Sequence, residues 1–436
     1  RRGTHLSMPR IAAVKALDAV ERRDAFSNLA IDSQLQNRNL SGPDLGLATA
    51  LFYGCLKRTT LLDALLERFL KKGIKHLPSL AKQILRVAAY QIVFMDKIPP
   101  HAAVSEAVNS AKKLARHQAG LTNAVLRRLA TDEAAKSWAR SEVETPEALA
   151  LHYGLPVDLA WEIVDRLGFD NALAYARAID APFPMTLRLR KDLTSTEWEP
   201  GRWAPNAAVV RAPGQAVADA LGSGAAVVQA ESSQILGHYC DLGSLPGGRV
   251  LDMCAGHGGK GFHLADLAAI ELTISDISPE KIAAARANAA KLGISIAHSL
   301  TADELNEFKG RFDLIVLDAP CSGAGNLGRY PELRWKQEPA RVNDLVSLQR
   351  RLIERAVSLL EPGGILVYAV CSDRPSEGTE QAAWALSEFS LVRRPPRWEL
   401  SPDLLNEHGS LLTEPHHHGI SGFFAVRLEK LRSEAS

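Results

Sequence analysis

From residue 248 onward the sequence alternates between short apolar runs and longer amphipathic stretches, and that alternation leaves few folds open. "RVLDMC" (249–254), "ELTISD" (271–276), "ISIAHSL" (294–300), "FDLIVLDAP" (312–320) and "ILVYAV" (365–370) have the length and apolar content of buried strands. Between the second and third, Ser278 is placed to cap a helix that Pro279 begins and Gly293 ends. Ahead of the fifth, "NDLVSLQRRLIERAVSLLEPGG" puts Leu345, Leu348, Leu352, Ala356 and Leu359 on one helical face. "FSLVRRP" and "SGFFAVRLEK" read as a closing pair of strands. The pattern predicts an α/β domain over residues 241–432, an open parallel sheet with helices on both sides.

A chain of 436 residues is too long for one core, so more than one domain is expected. The first 130 residues show helical spacing and almost no strand signal. Ile11, Val14 and Leu17 share a face, as do Leu62, Leu65, Leu66 and Phe69, and again Ile84, Ala88, Ile92 and Met95. "IPPHAAVSEAV" supplies a proline break and a fresh helix start, with Ser105 and Glu106 near the first turn. An all-α bundle of six or seven helices over residues 8–140 is predicted, and the polar stretch 131–145 reads as a linker or linking helix. Residues 146–240 mix short helices with strand candidates such as "MTLRLRKD" and "AAVVRAPG", which suggests a small α+β module.

No apolar run approaches the roughly 20 residues that span a bilayer, and no signal peptide is visible. The "RRGTHLS" before Met8 reads as a cloning remnant outside the fold. Five scattered cysteines with no CxxC pair argue against a disulfide framework and a zinc site, and for the reducing cytoplasm. A monomer is expected. Residues 8–130 carry 19 Lys/Arg against 9 Asp/Glu, whereas those after 130 carry 30 against 41. A basic module fused to an acidic one suggests a polyanion docking partly on the front end; solvated lysine-rich helix faces explain the charge equally well.

"LDMCAGHGGKGFH" holds Gly256, Gly258 and Gly261 after a strand and before a helix, with Asp276 following Gly256 at the spacing of a dinucleotide fingerprint. Glycines admit a ligand to the backbone, and an acid ending the second strand suits a ribose. Nicotinamide dinucleotides and S-adenosylmethionine share both needs, so the loop indicates an adenosine-containing cofactor without choosing between them.

Ligands in such sheets sit beyond the carboxyl ends of the strands. Cys321 lies just past the fourth strand and Cys371 just past the fifth. If those strands are neighbours, roughly 4.8 Å apart, two thiols converge over one pocket. Hydride transfer has no use for them. A pyrimidine does, because a thiolate adding to carbon 6 turns carbon 5 into a nucleophile that can accept a methyl group. Asp318 at the strand end is placed to bond the N3/N4 edge of cytosine, and a second thiol can assist proton removal or release. Lys260 beside the glycine loop either favours a thiolate or is plain surface charge.

At these residues the sequence resembles the RNA cytosine-C5 methyltransferases of the Nop2/Sun group, of the bacterial Sun/Fmu type that acts on 16S ribosomal RNA. "DAPCSGAGNLGRYPELRW" is similar to the fourth motif of that family, "LVYAVCSDRPSEG" to the sixth, "VLDMCAGHGGKGFHL" to the first and "SGFFAVRLEK" to the closing strand. "GLTNAVLRRL" and "IPPHAAVSEAV" resemble the NusB-like helical domain that leads some members. The resemblance implies a Rossmann-like methyltransferase domain behind a NusB-like RNA-binding bundle, S-adenosylmethionine as cofactor and RNA, 16S rRNA first, as partner. It implies Cys371 as the attacking nucleophile, Cys321 as the cysteine that assists release and Asp318 as the base-contacting acid. Cys254, Ala255, Gly256, His257, Gly258, Gly259 and Lys260 match the cofactor loop, Asp276 the ribose acid and Asp303 the adenine-side acid.

The sequence departs from the usual "CAAPGGKTTH": Gly256 replaces an alanine, His257 the proline, and Gly261-Phe262 a threonine pair. A more flexible loop is expected, since glycine costs more entropy to order than proline. Gly378 stands where asparagine is usual and Glu231 where aspartate is. Three consecutive histidines, 416–418, do not converge on one ion in an extended chain, so no metal is expected there, only a loop near the site mouth. The other readings are a transfer-RNA cytosine-5 methyltransferase, an NAD-dependent oxidoreductase, and a non-catalytic RNA-binding assembly factor.

Overall fold

The computed structural model describes residues 8–23, 25–38, 40–245, 248–397 and 399–432. The expected cloning remnant, residues 1–7, lies outside them. The chain forms two compact units. Of the described residues, the first comprises those up to 180 together with 329–336, and the second those of 181–328 and from 337 onward.

The first unit is helical. Its core gathers the three predicted faces, with Val14 and Leu17, Leu62, Leu65 and Leu66, and Ile84, Ala88 and Ile92 all buried. The helix expected around Ser105 starts earlier, at Pro100, whose fixed φ suits a first helical position, so Ser105 and Glu106 fall in its second turn. The polar 131–145 stretch contains a helix, Glu133–Ala139, whose Ala135 and Ala139 reach the core. The helices of 146–180, expected in the middle module, belong to this unit instead. Leu149, Leu159, Ile163 and Tyr175 are buried, and Thr60 Oγ1 donates to the Leu151 carbonyl at 3.1 Å. Residues 329–336 are anchored here by Arg334, fully buried, which donates to the carbonyls of Lys57 (3.1 Å), Ile179 (3.1 Å) and Tyr153.

The second unit opens with a small antiparallel sheet. Its strands are β1 (Thr186–Leu189), β2 (Trp198–Pro200), β3 (Ala207–Val210) and β4 (Ala226–Val228), in the order β2-β3-β1-β4. Leu187, Trp198 and Val210 pack there against Val217 and Ala220 of the helix Gln215–Gly222.

A larger sheet follows, built from β5 (Arg249–Met253), β6 (Glu271–Asp276), β7 (His298–Thr301), β8 (Phe312–Asp318), β9 (Leu360–Val370), β10 (Leu391–Arg393), β11 (Leu411–Thr413) and β12 (Phe423–Lys430). Its order is β10-β12-β9-β8-β5-β6-β7, with β11 paired to β12. Pairings from β7 through β9 are parallel, but β12 runs antiparallel to β9, β10 and β11. The sheet is therefore mixed, not purely parallel as expected. Its centre is buried on both faces: Leu314 and Val316 join one apolar cluster, Ile315 and Leu317 the other, as a period of two requires. Ser278 Oγ accepts the Lys281 amide, and Gly293 closes that helix in the left-handed region, as predicted. The strand order reverses between β5 and β8, which opens a crevice at their carboxyl ends.

Candidate active site

Two loops leave adjacent parallel strands at this crevice, and each carries a cysteine. Asp318 of β8 pairs with Ala369 of β9, so Cys321 and Cys371 emerge side by side. Their sulfurs lie 3.2 Å apart. The predicted convergence is present. Contact with Cys371, followed by burial, pushes the Cys321 thiol well above its ordinary pKa.

Lys260, on the first turn of the helix Gly259–Leu267, forms an ion pair with Asp318. Burial opposes its charge, but Asp318, then Asp252 and Cys371, outweigh that and raise its pKa. Lys260 is thus a paired group within the site and not loose surface charge. Asp318 Oδ1 is buried with no hydrogen-bond partner among the described residues, an acceptor left for a ligand. Beneath the pair, Asp252 is fully buried. Its Oδ2 accepts the Gly261 amide at 2.7 Å, and burial pushes its carboxyl up to about 6.

Three glycines in and after the loop, Gly256, Gly258 and Gly261, have structural reasons. Gly256 and Gly258 have φ of 56° and 88°. A Cβ on Gly258 would lie 2.2 Å from the Phe262 ring, so Phe262, one of the departures, packs into the space that this usual glycine leaves. A Cβ on Gly261 would approach Asp252 Oδ2 at 3.0 Å, which explains its close helix–strand packing. Cys254, also at positive φ, is half-buried, and burial pushes its thiol up to about 12. Ala255 donates to the Ser275 carbonyl at 2.8 Å. Asp276 accepts the Gly256 amide at 2.9 Å and the Ser278 amide at 3.0 Å, bracing the loop from the end of β6. Asp303 is exposed in the first turn of the helix Ala302–Glu307, just after β7, whose Thr301 pairs with Asp276. His257 is exposed, and its carbonyl accepts from Asn288 at 3.4 Å.

The histidine run differs from its expectation. Pro415–His418 is a helical turn, and one donor atom each from Glu414, His416 and His417 lie within 4.8 Å of one another. His418 faces elsewhere, its Nδ1 receiving the Glu414 amide at 2.9 Å. Glu231 accepts the amides of Trp203 (2.5 Å) and Ala204 (3.0 Å), a structural task.

Sequence reasoning passed over Gly325, Gly422 and Glu377. Gly325 donates to the Cys371 carbonyl at 3.2 Å and accepts the Gly422 amide at 2.8 Å, which closes the two cysteine loops onto the start of β12. Only the glycines flanking the motif hinted at that closeness. Glu377 sits in the sixth motif, beyond the cysteine, with nothing local to mark it as buried.

Known proteins resemble the chain over nearly its whole length. The family described as 16S rRNA methyltransferase RsmB/F matches residues 242–429, and the NusB family matches residues 7–131. Ribosomal RNA small subunit methyltransferase B of Thermus thermophilus is 32% identical over 98% of this chain and 99% of its own. The protein of the same name from Pseudomonas putida is 31% identical over 97% and 98%. Among solved structures, that of PH0851 superposes with a TM-score of 0.82 at 23% identity, over 97% of this chain and 99% of that one, and shares the fold. A methyltransferase homolog from Pyrococcus horikoshii superposes with a TM-score of 0.56 at 25% identity, over 66% and 100%. Full-length identity above 30%, joined to a NusB match in front and a methyltransferase match behind, places this chain in the RsmB/F family of 16S rRNA methyltransferases.

Proposed function

We propose that the protein transfers a methyl group from S-adenosylmethionine to carbon 5 of a cytosine in 16S rRNA, with Cys371 as nucleophile and Cys321 assisting release. The observation that carries this reading is two sulfurs 3.2 Å apart beside the Asp318–Lys260 pair, at the ends of adjacent strands. The glycine loop fits an adenosine-bearing donor. No atom lies within 4 Å of a Cβ built on Gly256, so the backbone there is open to a ligand, and acids follow the ends of β6 and β7. When bound, S-adenosylmethionine supplies an electrophilic methyl group.

The chain's own residues do the rest. The Cys371 thiolate bonds to carbon 6, and the electron pair of the 5,6 double bond moves to carbon 5 and the conjugated ring. Asp318 accepts a hydrogen bond from the N4 amino group of the base through its unengaged oxygen, and Lys260 orients that carboxylate. After methylation the carbon-5 proton is lost to solvent, the double bond re-forms and the carbon–sulfur bond breaks. Cys321, held as a thiol, donates a hydrogen bond to the departing sulfur. The target base must be unpaired or flipped out, because attack comes perpendicular to the ring. The excess of Lys/Arg over residues 8–130 suits RNA phosphates. Relatives named for the small ribosomal subunit favour 16S rRNA over transfer RNA. All five cysteines are free, in keeping with the cytoplasm.

The test is methyl transfer from a tritiated donor to 16S rRNA, with bisulfite mapping of the product. Cys371→Ser is expected to abolish transfer, and Cys321→Ser to accumulate a protein–RNA adduct that survives detergent. Full activity in Cys371→Ser, or label on another base, overturns the reading.

A further inference from the structure

Each catalytic loop places a serine directly behind its cysteine: Cys321-Ser322 and Cys371-Ser372. Both serines turn to one fully buried carboxylate, that of Glu377. Glu377 Oε1 accepts the Ser322 amide at 2.7 Å and Gln349 Nε2 at 3.2 Å. Its Oε2 accepts the Ser322 hydroxyl at 2.5 Å and the Ser372 hydroxyl at 2.7 Å.

The two arms are built alike. Ser322 Oγ accepts the amide two residues on, that of Ala324, and Ser372 Oγ accepts that of Arg374, both at 3.3 Å. Each hydroxyl proton is therefore committed to Glu377, and each oxygen to its own loop. A carboxylate offers only acceptors, four lone-pair sites for four neutral donors, which an amide of the same shape cannot match. Further bonds fix the clamp itself. Tyr368 donates to the Glu377 carbonyl at 2.6 Å, Gln349 Nε2 also reaches the Pro320 carbonyl at 2.9 Å, and Gln337 Nε2 holds the Ser322 carbonyl at 3.0 Å.

We infer that Glu377 is a positioning residue, holding Cys321 and Cys371 in register for reaction by clamping the residue that follows each. Its role in catalysis rests on the proposed two-thiol reaction, whereas its hold on the thiols does not. The titratable groups facing Cys321 are Asp318 and its partner Lys260, Cys371 beside it, and Glu377 behind it, with the Tyr368 hydroxyl nearby. After the contact with Cys371 and burial, the negative charge of Glu377 further opposes ionisation of Cys321.

The test uses the full-length protein in two assays. Alkylation by iodoacetamide, read at Cys321 and Cys371 by mass spectrometry across a pH series, reports the thiols without RNA or cofactor. Single-turnover methyl transfer, with RNA affinity measured separately, reports catalysis. Glu377→Gln is expected to move the Cys321 alkylation profile to lower pH and to slow transfer by about 100-fold, the effect of misplacing reacting groups by about 1 Å. RNA affinity should be unchanged, and Glu377→Asp should recover part of the rate. A folded Glu377→Gln protein with wild-type alkylation and transfer overturns the inference. Should that variant not fold, Ser322→Ala combined with Ser372→Ala removes both hydroxyl arms and leaves the carboxylate; wild-type transfer in that double variant also overturns it. A shifted alkylation profile in a protein whose wild type transfers no methyl group supports the clamp and sinks the two-thiol reaction instead.

Discussion

One methyl group added at Gly325 should damage the site more than the same change anywhere in the cofactor loop. A Cβ there would lie 1.9 Å from the Gly422 carbonyl oxygen, 2.4 Å from its carbon and 2.7 Å from its Cα. These are backbone atoms, so no rotamer change relieves the clash. Reaching even 3.0 Å requires one loop to move by about 1.1 Å. The movement breaks or lengthens the bonds from Gly325 to the Cys371 carbonyl and from Gly422 to Gly325. Overpacking costs about 1–3 kcal/mol, and two such bonds about 1 kcal/mol each, so Gly325→Ala should lose about 3–5 kcal/mol. With a urea slope of about 3 kcal/mol/M, the midpoint falls by about 1–1.7 M. Because the strained bond ends on the Cys371 carbonyl, methyl transfer should also drop by about 100-fold.

Gly256→Ala is the matched control. Its φ of 56° costs an alanine about 1–2 kcal/mol, but nothing lies within 4 Å of the new methyl group. Urea unfolding followed by tryptophan fluorescence, and methyl transfer at saturating RNA, measure both variants. If Gly325→Ala unfolds at the wild-type midpoint and keeps the wild-type rate, or if Gly256→Ala is the less stable of the two, the closure of the two loops is not as described.

Two further outcomes follow from buried charge. The Asp252 carboxyl is raised by burial from about 3.8 to about 6, so its folded form holds a proton that the unfolded form releases. Its contribution to stability is full below about pH 4 and lost as pH rises through about 6, roughly 3 kcal/mol in all. Asp252→Asn keeps an acceptor for the Gly261 amide and puts a donor where Oδ1 has no partner; it should flatten stability between pH 4 and 6, and an unchanged slope in urea titrations refutes this. Arg334→Ala removes the donor shared by the carbonyls of Lys57, Tyr153 and Ile179, and should cost the helical unit at least about 3 kcal/mol. Arg334→Lys, with one compact head for three carbonyls, should fall between; equal melting of all three proteins counts against the anchor.

What could be read from the sequence is what local pattern encodes. "FDLIVLDAP" is apolar at consecutive positions, which only a strand covered on both faces requires, and Leu314 to Leu317 do alternate between two clusters. Ser278, Pro279 and Gly293 each carry a terminal signal in their own chemistry, and the helix ends where they say. Strand direction leaves no such mark: the side chains of β12 read alike in either sense, and its antiparallel pairing to β9 had to be seen. The helix Pro339–Leu359 shows the limit more sharply. Its buried positions include Val342, Gln349 and Ile353, whereas Leu345, Leu348 and Leu352 are only half-buried. Hydrophobic spacing turns a glutamine outward, yet Gln349 is drawn inward by Glu377, Pro320 and Gln381.

That misreading and the overlooked residues have one physical origin. A thiol or an aspartate at a strand exit announces its chemistry by type and place, because reactive groups must stand at the crevice whatever holds them there. The groups that hold them carry no such signature. Glu377 is a charged residue in a polar turn until two serines 50 positions apart in sequence are brought to it, and Gly325 is one loop glycine among several until Gly422 arrives opposite. Both are defined by partners distant in the chain. The alignment of the two sulfurs is thus a tertiary property, carried by a carboxylate, two glutamines and a glycine–glycine contact. Exchanging those groups should alter the reaction while every motif residue remains in place.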